Sequence, residues 1–237
     1  MAEKRASLPA RHELKFFIGH GEIERLRQQL RKVMTLDPHC INGKPYMIRS
    51  LYFDDFDNSA WYDKQSGVMD RDKYRIRIYR MSDAEIFLER KRKQGDLIQK
   101  DSVRISRRLA DQLIDGNPSG LYRSGNALIR DLFVQMRTKL LKPAVIVDYE
   151  REAYTAPVED VRVTFDLKLR SGLNHTDMFN DSVPTICPHD RNVEIVEVKY
   201  NNYLPDYVRM ILADVQAEQS AVSKYILCRR FEPLDGV

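Results

Sequence analysis

Four basic side chains recur at alternate positions in one short stretch of this chain. Arg71, Lys73, Arg75 and Arg77 are each separated by one residue. Because side chains alternate between the two faces of a β-strand, all four share one face. Guanidinium groups bind phosphate oxygens through a planar fork, and ammonium groups bind them as point charges. The spacing therefore predicts a strand whose charged face binds a polyanion.

The same alternation occurs in several other stretches, and their opposite faces are apolar. It groups Glu13 with Lys15, Glu89 with Lys91 and Lys93, Lys100 with Ser102 and Arg104, Tyr149 with Arg151, Arg162 with Thr164 and Asp166, and Glu197 with Lys199. One such strand is ordinary, but a whole set indicates a sheet that surrounds a charged lumen suited to a polyanion and a metal. A two-layer sheet with its charged face in water remains the alternative.

Four cations on one strand face repel one another unless an anion lies among them. We therefore expect the lumen to be unfavourable when empty and to be neutralised by a bound phosphate chain. Replacing Arg75 or Arg77 with Ala is expected to abolish activity and to leave the fold intact, or even to stabilise it in phosphate-free buffer.

Hydrophobic periodicity indicates strands and helices that together form an α+β fold. Strand patterns cover residues 11–18, 46–54, 70–80, 85–93, 97–105, 144–154, 161–169 and 193–200. Helical patterns cover residues 21–34, 58–66, 106–115, 124–141, 205–215 and 220–228, and the polar stretch 171–192 reads as a loop. Apolar stripes on the helices need sheet faces to cover. We predict an antiparallel closed β-barrel of about eight strands, with the helices packed on its outside.

Composition is compatible with one domain that spans residues 1–237, with a core at about 10–226. The net charge is only +4 although 31% of residues are charged, so the positions of the charges matter more than their sum. Three cysteines without a CxxC or zinc pattern indicate a reducing compartment. An apolar signal segment and a membrane-length apolar run are both missing from the sequence. We therefore expect a cytoplasmic location.

With these residues in view, the chain resembles the VTC domain, the polyphosphate polymerase branch of the triphosphate tunnel metalloenzymes. The resemblance is carried, in family order, by residues 11–15, 48–54, 71–77, 87–91, 148–151, 162–166, 197–200 and 223–225. The broader superfamily begins with Glu-x-Glu-x-Lys, whereas this chain has Arg11-x-Glu13-x-Lys15. That departure fits the VTC branch and removes one candidate metal ligand.

The resemblance implies transfer of the γ-phosphoryl group of ATP to a growing inorganic polyphosphate chain, with a divalent metal, Mn²⁺ or Mg²⁺. The expected catalytic residues are Arg75, Arg77, Lys91, Arg151 and Lys199. Residues expected to bind triphosphate or polyphosphate are Lys15, Lys73, Lys93, Lys100, Tyr149, Arg162 and Lys224. The expected metal ligand is Glu197, with Glu13, Glu89 and Asp166 as weaker candidates.

Two other functions remain open at this point. The same fold could hydrolyse inorganic triphosphate or a nucleoside triphosphate, or the chain could be a non-catalytic polyphosphate-binding module. Nucleic-acid binding is not expected, because aromatic side chains do not interleave with the basic strand faces. The membrane segments of the eukaryotic vacuolar relatives have no counterpart here, so a membrane protein partner encoded elsewhere is left open, as is the oligomeric state.

Overall fold

One antiparallel sheet of ten strands and six α-helices make up the described part of the chain. The structure is a computed structural model and describes residues 12–95, 97–190 and 192–231. Arg11, part of the predicted first strand, lies outside these residues. The strands are β1 (His12–Gly19), β2 (Thr35–Leu36), β3 (Tyr46–Asp54), β4 (Arg71–Tyr79), β5 (Ser82–Gln94), β6 (Leu97–Ile105), β7 (Lys142–Ala156), β8 (Val161–Ser171), β9 (Val193–Tyr200) and β10 (Ala217–Gln219). The helices are α1 (His20–Val33), α2 (Ser59–Gln65), α3 (Arg107–Ile114), α4 (Ala127–Thr138), α5 (Asp206–Ala213) and α6 (Lys224–Arg229).

The hydrogen-bonded sheet is open, so the predicted closed barrel of about eight strands is wrong in this respect. The strand order is β10-β1-β9-β8-β7-β3-β4-β5-β6, and β2 pairs with β7. Within the described residues no backbone pairing joins β6 to β1 or to β10. One reason is that β10 pairs with β1 from Phe16 to Ile18 and so occupies that edge of β1. The unpaired interval between β1 and the β5–β6 hairpin is called the seam below.

The sheet nevertheless curves until its two ends meet through side chains. Lys91 on β5 donates from Nζ to Glu13 Oε2 on β1 at 2.8 Å, across the seam. The segment around α6 is also contacted from several strands, by Lys15 of β1, Lys73 of β4 and Asp166 of β8. These strands therefore surround α6, and the sheet has a concave face and a convex face.

The apolar faces of the strands point to the convex side, where amphipathic helices cover them as predicted. Ile23, Leu26 and Leu30 of α1 pack with α5 on the outer residues of β7, β8 and β9. Helices α3 and α4 pack in the same way on the outer residues of β3, β4 and β5. Burial of these aliphatic side chains is the main source of stability of the layered arrangement.

Helix α6 departs from the prediction, because it packs on the concave side and not on the outside of the sheet. Tyr225 and Cys228 of α6 join a third apolar cluster with Ile48, Val145 and Ile195, which point inward from β3, β7 and β9. Helix α2 contacts α6 as well as β3 and β4. Apolar residues therefore fill one part of the concavity and leave the remainder charged.

Several element boundaries differ from the sequence prediction for local reasons. Strands β2 and β10 are too short to show an alternating pattern. Helix α4 begins only after Asn126, whose side-chain oxygen accepts hydrogen bonds from the backbone N–H of Leu128 and Ile129. The predicted loop holds, since described residues between β8 and β9 form no helix or strand beyond one bridge from Ser171 to Ile186. In the described ranges, no helix is long and apolar enough to cross a membrane.

Candidate functional site

The concave face brings together most of the charged residues that the sequence pattern predicts. All four predicted acids lie there, and each contacts at least two predicted cations. Three of the acids are almost completely buried, with Asp166 0% exposed, Glu89 3% and Glu197 6%, and Glu13 is partly buried. A buried carboxylate must be paired to stay ionised, so these contacts hold the cationic side chains in fixed positions.

Three of the acids form a line that shared ammonium groups connect. Lys15 Nζ lies 3.6 Å from Glu13 Oε1 and 3.5 Å from Glu197 Oε1. Lys224 Nζ lies 2.9 Å from Glu197 Oε1 and 2.5 Å from Asp166 Oδ2. Arg151 completes the line with a bidentate contact to Asp166, at 2.7 and 2.8 Å.

The pKa values of these acids follow from two opposing effects. Burial alone would raise the pKa of Glu13, but Lys15, Lys91 and Lys199 lower it to about 2. Burial likewise opposes ionisation of Glu197, and Lys224 and Lys15 nevertheless hold its pKa well below the ordinary value. All these carboxylates are therefore ionised near neutral pH, and each acts as an anchor for cations.

Glu89 organises a second group on the other side of the concavity. Arg75 donates from Nε to Glu89 Oε2 at 2.7 Å and from Nη1 to the Tyr52 hydroxyl at 2.7 Å. Arg77 Nη1 lies 3.6 Å from the same carboxylate, and Lys100 is also paired with it. The expected repulsion between Arg75 and Arg77 is thus relieved by an internal acid, and the fold does not depend on a bound anion at this point.

Strand register divides the concave face into a balanced half and a cationic half. On β1, β9, β8 and β7, most opposed charges are of opposite sign: Lys15 pairs in register with Glu197, Glu13 with Lys199, and Arg151 with Asp166. Arg162 opposite Lys199 is a like-charge pair on these strands. Toward the beginning of β4, like charges face each other across β4, β5 and β6: Arg71 opposes Lys93, and Lys73 opposes Lys91, which opposes Lys100. Farther along β4, Arg75 opposes Glu89. Directly opposed like charges destabilise a sheet, so the cationic half is the part that most favours an anion.

Lys73 shows this imbalance most clearly. Its ammonium donates to Ser223 Oγ at 3.4 Å and lies 4.8 Å from the centre of the Tyr225 ring. In the described part of the chain it forms no ion pair with a carboxylate. Burial, together with the charges of Arg71 and Lys64, lowers the pKa of Lys73 to about 7.

The remaining predicted residues occupy less central positions. Arg162 lies at the rim, where its guanidinium pairs with Asp37 at 2.6 Å. Tyr149 is buried and its hydroxyl accepts a hydrogen bond from Arg77 at 3.2 Å. Lys93 is half-buried at the end of β5 and makes no ion pair within the described residues.

Sequence reasoning missed two contributors, one on a helix and one at the end of a strand. Lys64 lies on α2, where burial and the charges of Arg71, Lys15 and Lys93 lower its pKa. Asp54 ends β3, and its carboxylate accepts hydrogen bonds from the Tyr225 hydroxyl, Arg229 and the backbone N–H of Ala60. Asp54 could have been suspected from its position after an aromatic strand, but its partners on α6 are distant in sequence.

The donor set limits how a metal could bind. The described residues bring no three His, Cys, Asp or Glu side chains together as a metal site. Glu13 and Glu197 are close enough to share Lys15 and Lys199. Hard divalent cations accept carboxylate and phosphate oxygens together. The residues therefore fit a metal that arrives with a phosphate anion, and they do not fit one held by the protein alone.

Comparison with known proteins identifies one family. The model of the VTC domain matches residues 10–231. No curated protein sequence matches the chain.

Solved structures give weaker likenesses. The PH1819 protein from Pyrococcus horikoshii OT3 is 12% identical, with 91% of this chain and 97% of that chain covered and a TM-score of 0.46. A proposed adenylate cyclase from Bacillus halodurans is 15% identical, with 88% and 87% covered and a TM-score of 0.49. At TM-scores below 0.5, these likenesses carry no further conclusion.

Proposed function

Because the chain belongs to the VTC domain family, we propose that it is a polyphosphate polymerase. It transfers the γ-phosphoryl group of ATP to the end of an inorganic polyphosphate chain and releases ADP. The observation that carries this proposal is the convergence of Arg75, Arg77, Lys91, Arg151 and Lys199 on one concave face, where buried carboxylates fix their positions.

The proposed reaction needs positioning more than acid–base chemistry. A terminal phosphate oxygen of the acceptor chain attacks the γ-phosphorus, and the bond between that phosphorus and the β–γ bridging oxygen breaks. The electron pair leaves with ADP, and the acceptor oxygen is already ionised near neutral pH. What the protein supplies is alignment of two polyanions and neutralisation of their charge.

The state of the carboxylates favours phosphate over water as the acceptor. Hydrolysis of a triphosphate would use an available carboxylate to orient the attacking water. Here Glu13, Glu89, Asp166 and Glu197 are each engaged with two or more cations. This arrangement supports a polymerase over an inorganic triphosphatase or nucleoside triphosphatase on the same fold.

A divalent metal, Mn²⁺ or Mg²⁺, belongs to this proposal as a shared cofactor. When bound it would neutralise phosphate charge. Glu197 and Glu13 are the residues proposed to hold it, together with phosphate oxygens of the substrate. Glu89 and Asp166 are less suited, because guanidinium groups already bind them closely.

The test is incubation of the full chain with ATP and Mn²⁺, followed by gel separation of the products. We expect long phosphate chains together with ADP. Free phosphate without chains would contradict the proposal and favour the hydrolase. Binding of polyphosphate without any turnover would contradict it too and indicate a non-catalytic binding module.

A matched pair of variants identifies the site of the reaction. Arg151→Gln removes a central guanidinium and is expected to lower the rate at least about 100-fold, a typical loss for a group that stabilises transferring phosphate. Lys32→Gln removes an exposed cation from α1 and is expected to leave the rate unchanged. Equal activity of the two variants would place the reaction elsewhere.

A further inference from the structure

A group of four basic side chains lies where α2 meets the beginning of β4 and the end of β5. It consists of Lys64, Arg71, Lys73 and Lys93, and is called the α2–β4 cluster below. Arg71 and Lys93 are directly opposed in register, and Lys73 is the next inward-facing residue on β4. Helix α2 contacts β4, and the charges that act on Lys64 come from Arg71, Lys15 and Lys93.

What distinguishes this cluster is that no carboxylate is ion-paired with its members in the described part of the chain, although the charge of Asp54 acts on Lys73. Arg71 donates to the backbone carbonyl of Val68, and Lys73 contacts a hydroxyl and an aromatic ring. Within the described ranges none of its four members forms an ion pair with a carboxylate. Elsewhere on the concave face Arg75, Lys91 and Arg151 all do.

The arrangement suits an extended anion better than a compact one. Along β4 the inward cations are two residues apart, which places them roughly 6.6 Å from one another. From Arg71 to Arg77 they form one continuous row that leads from the unbalanced cluster to the residues held by Glu89. A linear polyanion can contact successive members of such a row, whereas a single triphosphate reaches only part of it.

We propose that the α2–β4 cluster binds the part of an inorganic polyphosphate chain that lies beyond the reacting phosphates. Lys64, which no strand pattern includes, thereby becomes a substrate-binding residue. So does Arg71, which alternation places on the charged face of β4 but which is not among the expected site residues. This inference rests on the proposed function for the identity of the anion. It assigns one end of the concave face to binding of the polyphosphate chain.

The test compares two phosphate anions in the absence of nucleotide. The double variant Lys64→Gln/Arg71→Gln and the unaltered chain are titrated calorimetrically with long-chain polyphosphate and with inorganic triphosphate at fixed ionic strength. We expect the affinity for the long chain to fall about tenfold, as for loss of two phosphate contacts, and the affinity for triphosphate to change less than twofold. The salt dependence of long-chain binding should also become shallower.

The control carries the same change of charge on the convex side. Lys32→Gln/Arg108→Gln removes two exposed cations from α1 and α3 and should bind both anions as the unaltered chain does. Melting temperatures of both double variants show whether they are folded.

Each outcome decides the matter independently of catalysis. An equal loss of triphosphate affinity would overturn the inference, because the cluster would then bind the reacting phosphates. Unchanged affinity for the long chain would overturn it as well. Long-chain polyphosphate could bind as expected while ATP is never converted into polyphosphate. In that case the proposed polymerase activity is wrong and the assignment of the α2–β4 cluster stands.

Discussion

At the scale of single residues, buried carboxylates determine which cations are stable and which are strained. Arg75 is held by Glu89 and Tyr52, whereas Lys73, one step along the same strand face, has no acidic partner among the described residues. The two side chains look equivalent in the sequence, but their surroundings predict that replacing one lowers the stability of the protein and replacing the other raises it.

Replacing Arg75 with Ala is expected to destabilise the protein as well as to abolish polymerase activity. The change removes from buried Glu89 the guanidinium that binds it through both Nε and Nη2. The free energy of unfolding should fall by roughly 3 kcal/mol, as when one member of a buried pair is removed. Urea unfolding measures this. Arg104→Ala, which removes an exposed cation from the same face of β6, should stay within about 0.5 kcal/mol. An Arg75→Ala protein more stable than the unaltered one would contradict this and support the sequence-based expectation that the four cations repel one another.

Replacing Lys73 with Met is expected to raise the melting temperature in phosphate-free buffer, in a pH-dependent way. The pKa of Lys73 is 10.5 in its ordinary state and about 7 in the folded protein. Because the pKa is lowered, the charged amine destabilises the folded protein. This penalty is present in full below pH 7 and decreases as the pH rises from 7 towards 10.5. The advantage of Lys73→Met should therefore be largest at pH 6 and small at pH 10.

Lys32→Met is the control for this measurement, since that side chain is exposed on α1. Its melting temperature should follow the unaltered protein at every pH. A Lys73→Met protein that melts at the same temperature as the unaltered one at pH 6 would show that the ammonium is not strained.

At the scale of secondary structure, α6 is the element whose position the sequence did not reveal. Its periodicity predicts an amphipathic helix but not which side of the sheet it covers. The deciding contacts join residues far apart in the chain, above all Asp54 with Tyr225 and Arg229. Because these contacts hold α6 on the concave side, Asp54 helps to set the shape of the site.

Replacing Asp54 with Asn is expected to loosen α6. The amide keeps the size of the side chain but removes the charge that binds Arg229, and one of its atoms becomes a donor facing the Tyr225 hydroxyl. Amide hydrogen exchange of residues 223–229 should become at least tenfold faster, which corresponds to a loss of about 1.4 kcal/mol of local stability. Asp57→Asn, an exposed change three residues later, should leave this exchange unaltered. Unchanged protection in Asp54→Asn would show that apolar packing alone holds the helix.

The strands and the inward charges could be predicted, whereas closure of the sheet could not. Alternation of period two places Arg75, Glu89 and Glu197 on one face, and the contacts of those side chains agree with that. Closure depends on how β10 occupies the edge of β1, and three residues carry no pattern from which to predict such a strand. Lys64 escaped prediction for a similar reason, because a helical residue has no place in a strand pattern.

At the scale of the whole molecule, the open sheet predicts a gradient of stability. Strand β7 pairs with β3, β8 and β2, whereas β6 and β10 each pair with a single strand among the residues that the structure describes. Amides of β7 should therefore exchange most slowly and those of β10 and the outer side of β6 most rapidly. Hydrogen exchange followed by mass spectrometry resolves this order. Equal protection of β6 and β7 would indicate that a further partner covers the edge.

The seam gives the concavity a freedom that a continuous ring of strands would lack. Its two margins are joined by the Lys91–Glu13 contact and not by backbone ladders. If one partner of this ion pair is exchanged, the width of the concavity can therefore change while the backbone pairing between strands is kept. An anion that paired with Lys91 in place of Glu13 would remove this side-chain link between the two margins and leave the backbone pairing of the strands as it is.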